Sequence, residues 1–294
     1  MTLLRHNILS KSVRDQVLVF VLIISSLTTI ALVCFIFLFL ILESLPALSA
    51  NEFSQWLSDP SWHPTEGQYN LYPIMIGTLA IAGGSVIITT PIGIASAIFL
   101  HYYAPTPVAI FFRRIIELLA GIPSVIYGFW GLVVLVPVII QIAPPGQSVL
   151  AGIIVLSMMT LPIITLATET ALICVPHSTI YGGYALGLSK ISVITKIILP
   201  QAKPGIVSGV FLQTGRAIGE TMVVLMVCGN VIQIPDSILD PARTLTANIA
   251  LEMAYATDIH RSSLFVTGLM LLLSISCLTV INEFFKKNHH ARTL

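Results

Sequence analysis

The chain has 294 residues, 56% of them hydrophobic and only 9% charged, with a mean hydropathy of +0.95. A soluble domain carries about 25% charged residues, so this composition excludes an ordinary soluble protein and marks a polytopic membrane protein. The net charge of +1 leaves no basic surface for nucleic acid, and none is expected as a partner.

Residues 1–16 are polar and basic, with Arg5, Lys11 and Arg14. From Gln16 to Leu42 there is no charged side chain. That run is too long for a signal-peptide core, no small-residue cleavage site follows it, and it reads as a signal-anchor helix. Residues 43–71 carry Glu43, Glu52, Asp59 and Glu66 but no Lys or Arg, and they hold Trp56, Trp62 and Tyr69. Aromatic, non-basic loops fit the outer side of a membrane.

A second span is expected over about Leu71–Leu100, with Pro91 as a site for a kink. Residues 101–121 carry Arg113 and Arg114 among Phe111, Phe112, Ile115, Leu118 and Leu119. This pattern predicts an amphipathic helix on the inner surface, with Arg113 and Glu117 spaced to pair at i,i+4. Pro123 then turns the chain into a third span over about Ile122–Ile142. Ser124 and Tyr127, near its start, either point polar groups into a pathway or simply open a helix with interfacial aromatics. A fourth span follows over about Val149–Val175, with a bend expected at Pro162 and Glu169 near its inner end.

The loop after it is basic, with Lys190, Lys196 and Lys203. Gly187 fits a sharp turn between two short helices, because glycine tolerates positive φ. Ser189 is placed to cap the second helix, and Ile191, Ile194, Ile197 and Ile198 form one apolar face at helical spacing. Such a hairpin suits docking on a soluble partner; it also fits an ordinary basic loop. A fifth span is expected over about Ile206–Val231, an outer loop over 232–261, and a sixth span over about Ser262–Ile281 that ends at Lys286, Lys287 and Arg292. Of the fourteen Lys and Arg, eleven fall in the four segments on one side, so the positive-inside rule gives six helices with both termini cytoplasmic.

No Gly-Lys dipeptide occurs anywhere, so there is no P-loop, and the chain is not expected to hydrolyse ATP itself. Cys34, Cys174, Cys228 and Cys277 form no close-spaced pair and read as packing residues, and no metal site is expected. The seven histidines read as solvated or interfacial side chains.

The run Gly215-Arg216-Ala217-Ile218-Gly219-Glu220-Thr221 carries the chemistry. Arg216 lies ten residues past Ile206, or about 15 Å into the bilayer at 1.5 Å per residue. A mid-membrane Arg costs at least ~2.5–3.5 kcal/mol on insertion scales. Glu220 stands one turn on as its expected resting partner, Thr221 adds a hydroxyl, and Gly215 and Gly219 clear space. A guanidinium fork suits a phosphate-like oxyanion. The competing reading is a buried ion pair that fixes helix packing. A reading of another class, a proton-coupled secondary transporter, would use Glu220 or Glu169 as proton site.

Three stretches, Ile116 to Leu132, Gly187 to Pro200 and Gly215 to Asn230, together with Thr244 to Ala250, resemble the PstC-type permease subunit of bacterial phosphate ABC importers. The Gly-x9-Ile-x-Leu-Pro half of the loop is similar to the family's "EAA" coupling loop, but Tyr181, Gly182 and Gly183 stand where the family has Glu-Ala-Ala. The resemblance implies an all-α, six-helix, type I importer (MetI-like) fold. Its core would be 71–285 with a coupling loop at 176–204, preceded by a segment at 1–70 and followed by a tail at 286–294. It implies a non-catalytic subunit of the bacterial cytoplasmic membrane that imports inorganic phosphate, or failing that another oxyanion or small solute. Its partners would be a second related permease, an ATPase dimer that binds the ATP, and an external phosphate-binding protein; the chain itself would hold no cofactor. Arg216, Glu220, Thr221 and Ser124 would line the pathway, and Ala185, Gly187, Ile197, Leu199 and Pro200 would serve ATPase coupling.

Overall fold

A computed structural model describes residues 13–50, 55–58 and 61–290, with side chains from 15 to 285 of that range. Arg5, Lys11, Glu52, Asp59 and Arg292 lie outside the described residues, and Arg14, Lys286, Lys287, His289 and His290 lie where only the backbone is described.

The described chain is almost wholly helical. The first helix, α1 (Val13–Ala50), runs eight residues past the expected end of the span at Leu42. A short helix α2 (Gln55–Ser58) and a two-residue hairpin of β1 (Trp62–His63) and β2 (Gln68–Tyr69) follow. The expected outer loop is therefore a folded cap. Trp56, Trp62 and Tyr69 are buried there against Leu71, Ile74, Leu245 and Leu264. Burial pushes the Tyr69 hydroxyl above its ordinary pKa, and a hydrogen bond with Ser263 offsets part of that.

The second helix of membrane length, α3 (Tyr72–Ile98), continues through Pro91 and runs into a π-helical turn at Phe99–Tyr103. A surface helix α4 (Thr106–Ala120) meets the next segment at 91°, the turn expected at Pro123. That segment is α5 (Ser124–Trp130), a π-turn (Gly131–Leu135) and α6 (Val136–Ile140). The fourth, α7 (Val149–Ile173), is the most buried helix and stands at the centre. Glycines set how closely its neighbours approach: a methyl on Gly84 or Gly93 of α3 would fall 2.5 or 2.6 Å from Ile153 or Ile164 of α7.

Next come α8 (His177–Ala185), α9 (Lys190–Val193), a π-turn (Ile194–Ile198) and α10 (Leu199–Ile218). The stretch expected as one fifth span is broken: α10 stops at Ile218 and α11 (Met222–Val227) starts after three residues. A loop then leads to α12 (Leu245–Glu252) and the last long helix, α13 (Asp258–His290), which packs on α1 and α10. Among the described residues, four helices are each long and apolar enough to cross a membrane, and the bent α4–α6 pair makes up to five. The remaining expected crossing, the fifth, is the broken α10–α11 stretch, which carries Lys203 and Arg216. That arrangement is consistent with six crossings.

Two expected side-chain arrangements are corrected here. Arg113 does not pair with Glu117 on its own helix; it donates to Glu169 Oε1 on α7. Glu169 is 4% exposed, and a carboxylate buried so far needs a paired charge or hydrogen-bond donor. In the isoleucine series, Ile194 and Ile198 are buried and Ile197 is half-buried, but Ile191 is 65% exposed. The π-turn between α9 and α10 adds a residue to the turn and shifts the apolar face after Val193.

Candidate functional site

Arg216 sits in the last turn of α10 and lines a cavity of about 450 Å³ between α10, α13 and α7. The other walls are mostly apolar, from Ile163, Phe211, Leu212, Ile275 and Leu278. The inner half of α10 packs tightly on α7: a methyl on Gly205 or Gly209 would fall 2.8 Å from Ala171 or Ala167. Gly215 differs, because a methyl there would meet Ile275 Cγ2 at an ordinary 3.7 Å. Gly215 therefore leaves open volume beside the arginine.

Glu220 is not the resting partner of Arg216. No ion pair or hydrogen bond of the Arg216 side chain occurs among the described residues. The reason is local. The helix ends at Ile218, and Glu220 lies beyond the last turn, so the i,i+4 register that would bring the two together is lost. Glu220 Oε1 instead faces the start of α11, where the Val223 amide donates to it at a long 3.5 Å. The Glu220 carbonyl accepts from the Thr246 hydroxyl at 2.8 Å, which ties the break to α12. The Thr221 hydroxyl makes only a 3.5 Å contact to the Gly219 carbonyl.

Ser124 is half-buried at the first position of α5. Four residues on, Gly128 lies against α11: a methyl there would fall 3.0 Å from Met226 Sδ and 3.2 Å from Val223 Cα. So α5 is brought beside the helix that follows Thr221, and among the described residues no hydrogen bond joins Ser124 to Arg216, Glu220 or Thr221. Tyr127 points its hydroxyl to the Leu119 carbonyl at 2.9 Å, closing the α4–α5 corner.

In the loop, Gly187 takes φ +76° and ends the turn after α8, and the Ser189 hydroxyl accepts from the Ser192 amide at 3.3 Å to cap α9. Gly183 holds the two arms together, since a methyl on it would fall 2.5 Å from Ile197 Cδ1. Ile197 and Leu199 are half-buried and belong to the hairpin's own packing. Ala185, Gly187 and Pro200 are exposed, and Tyr181, Leu186 and Ile191 add exposed apolar surface. Lys190 donates to the Tyr102 carbonyl and lies 4.5 Å from the Tyr103 ring centroid, joining the hairpin to the inner end of α3.

A second cluster, which sequence pattern alone did not bring together, closes the outer side. Glu252 at the end of α12 accepts from Arg243 Nη1 at 2.6 Å and from Trp62 Nε1 at 2.8 Å, and His260 Nε2 lies 2.9 Å away. Arg243 also donates to Asn248 Oδ1 at 3.0 Å and to the Asn230 carbonyl at 2.9 Å. His260, expected as a solvated or interfacial side chain, is thus partnered by Glu252.

The description "Binding-protein-dependent transport system inner membrane component" matches residues 89–289. The chain belongs to that family. It is therefore a permease subunit of an ABC importer, a membrane-spanning component. It is 40% identical over 244 residues to the probable ABC transporter permease protein YqgH of Bacillus subtilis, covering 80% of this chain and 79% of the relative. It is 35% identical over 269 residues to the phosphate transport system permease protein PstC of Mesorhizobium japonicum, covering 84% and 82%. Among solved structures, an inward-facing MetNI methionine ABC transporter chain superposes with a TM-score of 0.59 at 20% identity, covering 72% of this permease and 93% of that chain. That likeness shows the fold, the type I importer arrangement expected from the motifs.

Proposed function

We propose that this permease carries inorganic phosphate inward across the cytoplasmic membrane. In this reading it pairs with a second related permease above an ATPase dimer, receives its substrate from an external binding protein, and keeps both termini in the cytoplasm. Arg216 meets the anion in transit, near Glu220, Thr221 and Ser124. The hairpin around Ala185, Gly187, Ile197, Leu199 and Pro200 seats on the ATPase, where the ATP is bound.

The observation that carries the reading is the guanidinium without a partner at the wall of an open, mostly apolar cavity. A charge kept in such a place has to meet water or an anion, because lipid does not tolerate it. A pair that only fixed packing would be closed on itself. An importer also needs a weak site, and a single guanidinium without further charged donors gives attraction without tight capture. The names of relatives such as PstC support phosphate over other solutes; the general name of the Bacillus subtilis relative leaves another oxyanion as the second reading.

The test is uptake in proteoliposomes that hold the complete complex. ATP inside and binding protein outside should drive phosphate accumulation, and sulfate should not compete. Accumulation driven by a proton gradient with no ATPase subunit present would sink the ABC phosphate reading. The pairing of Glu169 with Arg113 speaks against Glu169 as a free proton site.

A further inference from the structure

The cavity beside Arg216 has a second polar wall. Gln213 lies three residues before Arg216 on α10, one turn nearer the inner end, and helps line the same cavity. It is only 2% exposed, and its Nε2 has no hydrogen-bond partner. Leaving such a donor buried and unpaired costs free energy, of order 1–3 kcal/mol, and most buried polar groups in proteins avoid it. Across the cavity, near the inner end of α13, Asn282 completes the polar side; its Oδ1 lies 3.4 Å from the Ser208 hydroxyl one further turn down α10. The chain thus offers a descending series from Arg216 through Gln213 to Asn282 and Ser208, heading toward the cytoplasmic hairpin.

We infer that Gln213 is a second donor to the transported oxyanion, taking it from Arg216 on the inward path. The inference rests on the phosphate reading above. A carboxamide is suited to that step. It offers N–H donors without net charge, so it holds an anion more weakly than a guanidinium does. Passage from a charged donor to a neutral one lowers affinity along the path, which favours release on the inner side. The rest of the wall is mostly apolar, and its other polar residues, Thr279 and Asn282, carry no charge that would trap the ion.

The experiment compares Gln213→Leu and Gln213→Glu in the reconstituted complex, with inorganic phosphate as the probe and uptake expressed per assembled complex. Stimulation of ATP hydrolysis by the binding protein serves as the check on assembly and coupling. Gln213→Leu removes the donor and should slow uptake about tenfold, the value of one hydrogen bond to a charged group, while stimulated hydrolysis persists. Gln213→Glu keeps the size but repels the anion once ionised. At alkaline pH it should be slower than Gln213→Leu, and it should recover part of its uptake as pH falls and the new carboxyl gains a proton. A packing role predicts near-normal uptake by Gln213→Leu, because an apolar side chain of similar size refills the mostly apolar wall. Wild-type uptake by Gln213→Leu, or faster uptake by Gln213→Glu than by Gln213→Leu at alkaline pH, overturns the inference. If Gln213→Leu fails to assemble, the pH profile of Gln213→Glu against wild type decides: a wild-type profile overturns it. If the wild-type complex takes up no phosphate with ATP present, the phosphate reading itself has failed, and this inference falls with it.

Discussion

Two arginines of this permease sit in opposite circumstances. Arg243, just before α12, is held by Glu252, Asn248 and the Asn230 carbonyl, and Glu252 is held in turn by Trp62. Arg216, in the last turn of α10, has no ion pair or hydrogen bond to its side chain among the described residues and faces a cavity. A side chain whose donors are used by the fold stabilises the fold. One whose donors are left open is available to something that comes and goes. The same contrast holds for glycines. A methyl on Gly77 would strike the Arg243 carbonyl at 2.5 Å, whereas nothing lies within 4 Å of one on Gly187. The cap around Arg243 is closed, whereas Arg216 and Gly187 each face open space.

The largest expected effect breaks the contrast at its open end. Arg216→Gln should abolish phosphate uptake while the complex still assembles with unchanged thermal stability, because no internal contact is lost. Wild-type uptake in an assembled complex would remove Arg216 from the pathway. Next comes the closed end. Glu252→Ala leaves Arg243 mostly buried without its carboxylate, and loss of one partner of such a pair costs roughly 3–5 kcal/mol. Thermal unfolding of the purified complex should drop accordingly, with uptake per surviving complex largely kept. A variant of normal stability and no uptake would place the outer cluster in transport itself.

Much of this contrast was legible in the sequence, and the missing part has physical causes. The corner at Pro123 and the turn at Gly187 each follow from local residue chemistry. The absence of the Arg216–Glu220 pair does not, because the i,i+4 rule holds only if the helix continues. Its end at Ile218 leads into a segment tied to α12, and the Thr246 hydroxyl at the Glu220 carbonyl is a contact across 26 positions. The outer cluster was hidden for the same reason: Trp62 and Glu252 stand 190 positions apart. Gln213 could have been found, since a polar residue three positions from a membrane arginine shares its helix face. The π-turns leave no trace in composition, and one of them moved Ile191 off the apolar face.

A smaller effect sharpens the comparison at Arg216. Arg216→Lys keeps the charge and loses the planar fork. Uptake should be partial, between wild type and Arg216→Gln at every phosphate concentration. Equal loss in both variants would mean that fork geometry, and not charge, is what the site supplies. Full activity of Arg216→Lys would mean that charge alone suffices.

The smallest expected effect tests whether the open region extends to the hairpin. Gly187 has φ +76° and free space around it. The demand for glycine therefore comes from the backbone and not from crowding within this chain. A left-handed residue costs most side chains roughly 1–2 kcal/mol, and Asn much less because it visits that region readily. Gly187→Asn should then keep hydrolysis coupled to uptake. Gly187→Val, β-branched and unsuited to that φ, should distort the turn between α8 and α9 and lower uptake per ATP by a few-fold, with membrane insertion intact. If both variants uncouple equally, the side chain meets the ATPase directly, and the space around Gly187 is the partner's. If neither does, the turn has no part in coupling, and the exposed Tyr181, Leu186 and Ile191 become the surface to test.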